Sequence, residues 1–457
     1  MAKKSENFLC TDCGDTFSKW LGKCPSCNSF NTIKEFRSPK ISTEKSFSGK
    51  DLRQEPSSHS NIISPLQERL STQISEVDRV LGGGFFPGSF VLFGGNPGIG
   101  KSTLALQIFL NFLKQSELLS FYFSGEESFD QIFSRASRLS PGIKTSETRN
   151  QVFATNSLEN IVETIEKNNP TFVVIDSIQM IGLESSSFGS ITQTKENAEV
   201  LQKLAKASNT IILIIGHVTK NDELAGPRIL EHLVDAVLYL EGENNSEIRL
   251  LRSPKNRFGS TLEVGVFDMQ DQGLQELKNP SEFFLSERSQ DSFGNAICPI
   301  REGARNFLLE IQALTVKTNF TAPRRTSAGL PLSKFHLLLA VISKFTPFKC
   351  ETFDAYLNVV GGFKIIDPAA DAAICAAILS SRAEKEISPE IVVFGEVGLS
   401  GEIRRVAHME NRIKESQRLG FKKILCPRLS PKTKRPKDIK IVEIKNVLEL
   451  MKMLLED

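Results

Sequence analysis

The stretch "GNPGIGKST" contains the residues whose types and spacing most clearly predict chemistry. It matches the phosphate-binding pattern G-x-x-x-x-G-K-S/T. Glycines in such a loop let backbone N–H groups approach phosphate oxygens, and the helix that follows directs its positive end toward them. The pattern predicts a site for ATP and Mg²⁺ made by Gly95, Asn96, Pro97, Gly98, Ile99, Gly100, Lys101, Ser102 and Thr103.

Within this loop, Lys101 is predicted to reach the β- and γ-phosphates, and the Ser102 hydroxyl is predicted to bind Mg²⁺. The segment "FVVID" ends in Asp176. An apolar strand that ends in Asp carries its carboxylate to the carboxyl edge of the sheet, where it suits the second contact to Mg²⁺. The alternative is an aspartate that only caps the following turn.

A catalytic carboxylate is expected in "FYFSGEES", which follows another strand toward the same edge. A carboxylate there could orient and deprotonate the water that attacks the γ-phosphate. We predict Glu126 for this role. Its neighbour Glu127 is an alternative that the sequence leaves open.

Paired cysteines in "CTDCGDTFSKWLGKCPSC" predict a metal site. Two C-x-x-C pairs place four thiolates around one closed tetrahedral Zn²⁺, with no open position for catalysis. A segment with so few aliphatic residues needs such a metal to fold. A redox dithiol would be a single pair at a helix start. We therefore predict zinc ligands at Cys10, Cys13, Cys24 and Cys27.

The stretch "SPKNRFG" places two fixed cations before a turn glycine, about 150 residues beyond the phosphate-binding loop. Lys255 and Arg257 are two positions apart, so both side chains can leave one face of an extended segment. A solvated basic turn is the simpler interpretation.

The elements that must position these residues have an α/β pattern. Apolar runs that do not alternate with polar residues predict buried parallel strands at 89–95, 118–125, 151–155, 171–178 and 210–218. The segments "SLENIVETIEKNN" and "ITQTKENAEVLQKLAKASN" have helical spacing, and "AVLYLEG" and "SEIRLLRS" predict a hairpin.

A second α/β unit is predicted to begin near Asn295. In it "EIQALTV" and "EIVVFGEVG" resemble strands, while "SKFHLLLAVISKF", "DPAADAAICAAILSSRAE" and "HMENRIKESQRLG" have helical spacing.

The totals limit the class of protein. The chain of 457 residues is long enough for several domains, and 56 basic against 54 acidic residues give no strong overall field. The first residues form no secretory signal, and the longest apolar runs are far shorter than a membrane span. We expect a cytoplasmic protein without membrane partners.

Five segments occur here in the order found in one known family: "CTDCGDTFSKWLGKCPSC", "LSTQISEVDRVLGGGFFPGS", "GGNPGIGKSTL", "SGEES" and "KNRFG". In these segments the chain resembles the bacterial RadA (Sms) DNA-repair proteins over practically its whole length. The signature of that family is "KNRFG", here Lys255, Asn256, Arg257, Phe258 and Gly259. Two positions depart from the family: Gln73 stands where Gly is usual, and Phe30 where Trp is common.

The resemblance implies an α/β fold in which a RecA-like P-loop ATPase core lies between a four-Cys zinc ribbon and a C-terminal domain shaped like the Lon peptidase. The implied domains are a ribbon at 1–30, a flexible linker at 31–64, the ATPase with KNRFG at 65–288 and the Lon-like domain at 289–457. The implied cofactors are ATP, Mg²⁺ and Zn²⁺.

The resemblance also implies a function. Members of the family are similar to ring helicases of the 5′–3′ type: hexamers with DNA-stimulated ATPase activity that act on single-stranded and branched DNA. They take part in homologous recombination and repair, where they assist RecA in strand exchange and branch migration.

The same resemblance suggests a role for the cations of KNRFG. In RecA-like rings the nucleotide lies between protomers, and the neighbour supplies cations to the γ-phosphate. Lys255 and Arg257 would then stabilise transition-state charge, as arginine fingers do. A contact with DNA phosphates is the functional alternative.

The C-terminal domain is not expected to be a protease. Lon-type peptidases carry the nucleophilic serine in "GPSAG", and the similar stretch here is "DPAAD", with Ala369 at that place. Glu410 stands where the Lon lysine is expected. An alanine cannot attack a carbonyl, and a glutamate cannot replace a neutral lysine base. The domain is better interpreted as a ring scaffold and DNA platform.

Two other functions are compatible with parts of the sequence. One is a KaiC-like regulatory ATPase that moves nothing along DNA, which the Cys motif and "KNRFG" disfavour. The other is an ATP-dependent Lon-type protease, which Ala369 and Glu410 disfavour.

Overall fold

The computed structural model describes residues 7–10, 16–17, 19–25, 30–36, 68–115, 117–143, 148–182, 191–216, 230–242, 247–286, 288, 292–361, 363–431, 433 and 435–455. They form two compact units, Met1–Glu241 with Arg249–Glu276, and Gly242–Ile248 with Leu277–Asp457. Across these described ranges, no helix has both the length and the apolar character needed to cross a membrane.

The ribbon is a small antiparallel sheet with strand order β2-β1-β3, made of β1 (Asn7–Cys10), β2 (Thr16–Phe17) and β3 (Ile33–Phe36). Its buried core within the described residues is Cys24 and Ile33, with Phe8, Phe17 and Leu21 packed against them. Strand β3 lies in the segment predicted as linker. Because Ile33 completes this small core, the ribbon extends past residue 30 as far as Phe36.

A nine-stranded sheet forms the centre of the first unit, with strand order β12-β11-β10-β9-β4-β8-β7-β5-β6. Six adjacent strands in this order, β9, β4, β8, β7, β5 and β6, run parallel to one another. Strand β10 is antiparallel to β9. The strands are β4 (Phe90–Gly95), β5 (Ser120–Ser124), β6 (Val152–Ala154), β7 (Phe172–Asp176), β8 (Ile211–Ile215), β9 (Ala236–Glu241), β10 (Ile248–Asn256), β11 (Val264–Gln270) and β12 (Gly273–Glu276).

Helices cover both faces of this sheet. The described helices are α1 (Ser75–Leu81), α2 (Lys101–Leu113), α3 (Phe129–Leu139), α4 (Leu158–Asn168) and α5 (Ile191–Ser208). Residues of α1, α2 and α3 pack on one face of the strands, and residues of α4 and α5 pack on the other. The five predicted strands, the two predicted helices and the β9–β10 hairpin are confirmed. Burial on both faces explains why β4, β5, β7 and β8 do not alternate, whereas the edge strand β6 is buried only at Val152.

A left-handed residue precedes α1. Gln73 has φ 59°, a conformation that glycine adopts without strain and that other residues adopt at a cost. The turn is held by Asp78, whose carboxylate accepts hydrogen bonds from the Ser71 hydroxyl at 2.6 Å and from the Thr72 amide at 2.8 Å. The positive φ explains why the resembling family usually has glycine here.

The second unit contains a seven-stranded mixed sheet with strand order β15-β16-β14-β13-β17-β20-β21, and a separate two-stranded sheet of β18 and β19. Its strands are β13 (Asn295–Glu302), β14 (Arg305–Lys317), β15 (Arg325–Ala328), β16 (Phe353–Val359), β17 (Ile391–Val393), β18 (Glu396–Val397), β19 (Ile403–Arg404), β20 (Lys423–Cys426) and β21 (Lys440–Glu443).

The described helices of the second unit are α6 (Pro280–Leu285), α7 (Leu332–Phe345), α8 (Asp371–Ala383), α9 (Met409–Arg418) and α10 (Val447–Leu455). The alanine-rich α8 is buried at every position from Asp371 to Ser381, as a small-residue helix in a core should be. Because this unit starts at Leu277, α6 belongs to it and not to the ATPase part, whose predicted limit was residue 288.

One predicted strand of the second unit is wrong in its extent. The segment "EIVVFGEVG" breaks at Gly395 into β17 and β18, which belong to different sheets. A side chain at Gly395 would place its Cβ 2.7 Å from Cγ2 of Ile403. The chain therefore turns at the one residue that allows this close approach.

Candidate active site at the carboxyl edge of the first sheet

The phosphate-binding loop connects β4 to α2. Gly95 ends the strand, and a side chain there would place its Cβ 2.6 Å from the carbonyl oxygen of Leu240. Gly98 and Gly100 have φ 75° and 113°, in the left-handed region that favours glycine. Gly98 and Gly100 are therefore required by the backbone of the loop itself, and Gly95 is required by its close approach to β9.

The start of α2 fits an anion. Its N-cap residue is Gly100, so no side chain caps the first N–H groups, and no acidic residue lies in the first turn. Asn96 and the Ser102 and Thr103 side chains are half-buried, Pro97 and Gly98 are exposed, and Ile99 is buried. Uncapped N–H groups and the positive end of a 13-residue helix suit phosphate oxygens.

Lys101 is buried at the base of this loop. Its Nζ donates hydrogen bonds to the carbonyl oxygens of Gly95 at 2.9 Å and Asn96 at 3.0 Å. Burial lowers the pKa of the Lys101 ammonium, and the charges of Asp176 and Glu126 oppose that effect. The loop therefore holds a cation beside two carboxylates, where it can meet phosphate oxygens.

Asp176 ends β7, directly beside Ser124 at the end of β5. Its Oδ2 accepts a hydrogen bond of 2.7 Å from the Tyr122 hydroxyl. Burial raises the pKa of Tyr122 well above its usual value, and the charge of Asp176 raises it further. The buried phenol therefore keeps its proton and remains a donor to the carboxylate.

The two neighbouring glutamates after β5 face different partners. Glu126 accepts a 2.6 Å hydrogen bond from the hydroxyl of Ser177, the residue after Asp176, and its charge acts on Lys101. Glu127 pairs instead with Arg135 of α3. Glu126 is therefore the carboxylate whose charge acts on Lys101, whereas Glu127 is paired with Arg135 and its charge acts on Tyr122. The role of Glu126 as the catalytic base stays a prediction.

The KNRFG segment lies at the amino ends of the parallel strands, opposite the carboxyl ends where the phosphate-binding loop lies. Asn256 pairs with Ala236, which pairs with Val91 at the start of β4, whereas Gly95 of the loop pairs with Leu240. The four residues from Val91 to Gly95 correspond to about 13 Å along a strand. Lys255 and Arg257 are therefore directed away from the loop of their own chain.

A bulge precedes this segment. The β9–β10 register shifts between Arg252 and Lys255, where Ser253 and Pro254 add one residue to β10. The buried Ser253 hydroxyl lies 2.9 Å from the carbonyl oxygens of both Val237 and Lys255. Because a bulge re-aims the side chains that follow it, "SP" sets the direction of the two cations.

The segment is a built turn and not a loose basic loop. Phe258 stacks on Phe86 with ring centroids 4.7 Å apart, and its amide donates to Oδ1 of Asn256 at 2.9 Å. Gly259 lies against the end of α1, where a Cβ would come within 3.5 Å of the Gly82 Cα. Asn256 donates to the carbonyl oxygen of Leu81 at 3.3 Å.

Both cations already have partners in the chain. Lys255 Nζ donates to the carbonyl oxygen of Glu231 at 2.5 Å, and Arg257 pairs with the buried Asp235 carboxylate at 3.1 Å while half of its side chain stays exposed. Burial lowers the pKa of Lys255, and the charge of Arg257 adds to that effect. The guanidinium is therefore held in place and still accessible.

The ribbon motif is described only in part. Cys24 is fully buried in the ribbon core, and the backbone of Cys10 ends β1. Cys13 and Cys27 lie outside the described residues. Among the described ribbon residues, the two that are buried form too small a core to hold three strands by themselves. A metal held by thiolates would supply the stability that so small a core lacks.

In the second unit, an alanine and a glutamate occupy the two positions expected for a peptidase dyad, and they differ in burial. Ala369 is fully buried in a 3₁₀ turn at Pro368–Ala370, whereas Glu410 is exposed in the first turn of α9. Beside Ala369, the Asp367 carboxylate pairs with the buried Arg412 at 2.7 Å. A structural ion pair therefore adjoins the position of the expected nucleophile.

Three basic residues of this unit that could contact DNA have partners within it. Lys334 pairs with the buried Asp371 at 2.7 Å, Arg404 pairs with Glu402, and Arg405 donates to the carbonyl oxygens of Arg428 and Leu429. Lys334 therefore has a structural role within this unit.

Sequence reasoning missed several residues of the site. No motif gave a role to Tyr122, Ser177 or Asp235. Each of them forms a hydrogen bond or ion pair with a site residue that is distant in the chain. Arg249 of β10 is buried and donates from Nε to the carbonyl oxygen of Ile99 in the phosphate-binding loop at 3.2 Å. The one signal in the sequence is the placement of polar residues at the ends or inside apolar strands, where an unpaired polar group would be costly.

Two family models match parts of the chain. Residues 69–184 match the DnaB-like helicase C terminal domain, and residues 8–35 match the rubredoxin metal binding domain. Solved structures that resemble about half of the chain include the RadB recombinase (TM-score 0.37, 21% identity, 46% of this chain and 100% of that one) and a KaiC-like protein from Pyrococcus horikoshii (TM-score 0.38, 21% identity, 46% of this chain and 99% of that one). The family matches, with the strand order and the loop, confirm the predicted P-loop ATPase core and the ribbon.

Curated relatives match nearly the whole chain. A protein of Listeria monocytogenes named DNA repair protein RadA is 42% identical over 100% of this chain and 99% of its own length. A protein of the same name from Bacillus subtilis is 44% identical over 99% of this chain and 99% of its own length. Another, from Pseudomonas aeruginosa, is 40% identical over 100% of this chain and 100% of its own length.

Proposed function

The chain belongs to the RadA family of DNA repair proteins, and from that premise we propose that it is a DNA-stimulated ATPase that acts as a motor on single-stranded and branched DNA. The observation that carries the proposal is the grouping of Lys101, Asp176 and Glu126 at the carboxyl edge of the ATPase sheet. That grouping has the parts that phosphoryl transfer to water needs.

In this proposal each residue of the site has one role. The loop N–H groups and Lys101 bind the phosphates of ATP, Ser102 and Asp176 hold Mg²⁺, and Glu126 orients and deprotonates the attacking water. Magnesium supplies charge stabilisation to the phosphoryl group when it is bound. The 2.6 Å hydrogen bond from the Ser177 hydroxyl supports this assignment, because it holds the Glu126 carboxylate at the residue that follows Asp176.

The motor is proposed to be a hexameric ring of the 5′–3′ helicase type, working in the cytoplasm with RecA during strand exchange and branch migration. Support comes from the position of KNRFG. Since Lys255 and Arg257 lie at the edge opposite their own loop, a phosphate they contact belongs to another molecule. We assign that phosphate to the nucleotide of the neighbouring protomer, and DNA is the alternative to be tested.

The C-terminal unit is proposed to be a Lon-like scaffold without peptidase activity. Ala369 offers no nucleophile, and the Asp367–Arg412 ion pair lies close to it in the chain. Such a unit can hold a ring together and present basic residues to DNA.

DNA is expected to accelerate ATP hydrolysis by the full-length protein several-fold, because a motor couples hydrolysis to its track. The measurement is the steady-state rate of phosphate release with and without single-stranded DNA. Heparin, a polyanion without bases, serves as the control for charge alone. Equal rates with and without DNA would instead support a regulatory ATPase of the KaiC kind.

One zinc ion per chain is expected in the ribbon, held by Cys10, Cys13, Cys24 and Cys27. Cys24→Ala should release the metal and leave the thermal transition of the ATPase unit unchanged, because the ribbon has its own small core. Elemental analysis of both proteins checks this, with Cys426→Ala as the control for a buried cysteine outside the motif. Wild-type protein that contains no zinc would contradict the assignment.

A further inference from the structure

We propose that Tyr122 is a positioning residue for the ATPase reaction, whose hydroxyl fixes the carboxylate of Asp176 in the orientation that binds the metal ion. The inference rests on the proposed ATPase function and adds to it a residue outside the phosphate-binding and KNRFG motifs.

Tyr122 can reach Asp176 because of the strand register. Tyr122 of β5 lies opposite Val174 of β7, and Asp176 is two residues further along the same face. An aromatic side chain spans such a diagonal between neighbouring strands. The phenol oxygen therefore meets Oδ2 of Asp176 at 2.7 Å, at the edge where the phosphate-binding loop begins.

The ring of Tyr122 is itself held firmly. The residue is fully buried, and its ring packs edge-on against Phe109 of α2 with centroids 5.6 Å apart. Helix α2 begins at Lys101, so the same helix that presents the phosphate-binding lysine also supports the ring that orients the metal-binding carboxylate. The hydroxyl has little freedom to turn away from Asp176.

The chemical consequence concerns rotation of the carboxylate. Asp176 can turn about its Cβ–Cγ bond, and a metal ion binds best when that rotation is already restricted. A neutral donor on Oδ2 restricts it without adding a positive charge that would compete with Mg²⁺. The phenol suits this purpose, because a protonated hydroxyl donates a hydrogen bond and carries no charge.

Tyr122→Phe tests the proposal, since it removes the hydroxyl and keeps the ring. Loss of a residue that orients a metal ligand typically costs about 10–100-fold in metal affinity or activity. We therefore expect the Mg²⁺ concentration for half-maximal ATP hydrolysis to rise about tenfold or more, and nucleotide affinity measured in EDTA to stay unchanged. A purely structural hydroxyl would change thermal stability and leave the Mg²⁺ requirement as it is.

The chain offers a matched control, because it has only three tyrosines. Tyr356→Phe makes the same change on β16 of the other unit and should leave the Mg²⁺ requirement unaltered. If the wild-type protein hydrolyses ATP and Tyr122→Phe has the wild-type Mg²⁺ requirement, this inference is wrong and the proposed function stands. A wild-type protein that hydrolyses no ATP overturns both.

A second measurement does not depend on the folding of the variant. Protein in which the three tyrosines are replaced by 3-fluorotyrosine gives one ¹⁹F resonance for each, assigned with Tyr356→Phe and Tyr239→Phe. Addition of Mg²⁺ to the ADP-bound protein should shift the resonance of Tyr122 and leave that of Tyr356 in place. A Tyr122 resonance that does not respond to Mg²⁺ would overturn the proposal.

Discussion

Lys101→Ala is expected to abolish ATP hydrolysis. The ammonium of Lys101 is buried under the loop, where it donates to the carbonyl oxygens of Gly95 and Asn96, and it lies beside Asp176 and Glu126. Removing one donor that stabilises charge in a transition state costs about 10²–10³ in rate, and this donor carries a full charge. The rate of phosphate release should therefore fall to background.

Lys114→Ala provides the matched control for that variant. Lys114 is exposed at the other end of α2 and shares the helix but not the loop. Its replacement should leave the rate unchanged. Turnover by purified Lys101→Ala within a factor of about two of the wild-type rate would show that hydrolysis takes place elsewhere.

Arg257→Ala and Lys255→Ala are expected to preserve nucleotide binding and to lose most of the DNA-stimulated hydrolysis. Both residues lie at the edge opposite the loop of their own chain, so binding of ATP to that loop does not depend on them. Cations that act on a neighbouring γ-phosphate as arginine fingers do contribute about 10³–10⁵ in rate. Nucleotide affinity and DNA-stimulated turnover, measured on the same samples, should separate clearly.

Mixing experiments decide where these cations act. In a ring, a protomer with Arg257→Ala still has an intact loop, and a protomer with Lys101→Ala still has an intact Arg257. Mixed rings should therefore contain some complete sites and regain part of the activity. If subunits mix and no activity returns, the cations serve DNA binding.

The control for Arg257 is Arg79→Ala. Arg79 is 45% exposed and pairs with Glu76, which is 1% exposed, much as Arg257 is 52% exposed and pairs with Asp235, which is 6% exposed. Loss of Arg79 removes a comparable ion pair from the same unit without touching KNRFG. It should leave DNA stimulation intact.

The parts of the fold that could be predicted from sequence are those set by local pattern. Strands β4, β5, β7 and β8 are buried along their whole length, and their unbroken apolar runs predicted them. The phosphate-binding loop was predictable because its glycines follow a fixed local spacing, and Gly98 and Gly100 are required by the positive φ of the loop's own backbone. The break at Gly395 was not, because its cause is Ile403, a residue on the neighbouring strand.

The parts of the site that could not be predicted depend on contacts between distant residues. Glu126 and Glu127 are adjacent and chemically equal, and they are distinguished by Ser177 and Arg135, 51 and eight residues away. The position of KNRFG depends on β10 running antiparallel to β9, so that Asn256 lies beside Ala236, which in turn pairs with the start of β4. No local pattern contains either fact.

Asp235, the partner of Arg257, would compete with any phosphate for the guanidinium of this arginine. To reach a phosphate, the guanidinium must leave the Asp235 carboxylate, which would be costly if that buried charge were then stranded. Asp235 also accepts a hydrogen bond from the Phe90 amide at 3.1 Å and lies 3.7 Å from Lys206 Nζ, so it keeps partners after Arg257 departs. Exchange of Arg257 between Asp235 and a phosphate is thus reversible, and the position of this equilibrium depends on the negative charge of the phosphate group. If Arg257 reaches the nucleotide of a neighbouring protomer as proposed, a triphosphate there should attract it away from Asp235 more strongly than a diphosphate does, so each protomer would respond to the nucleotide state of its neighbour.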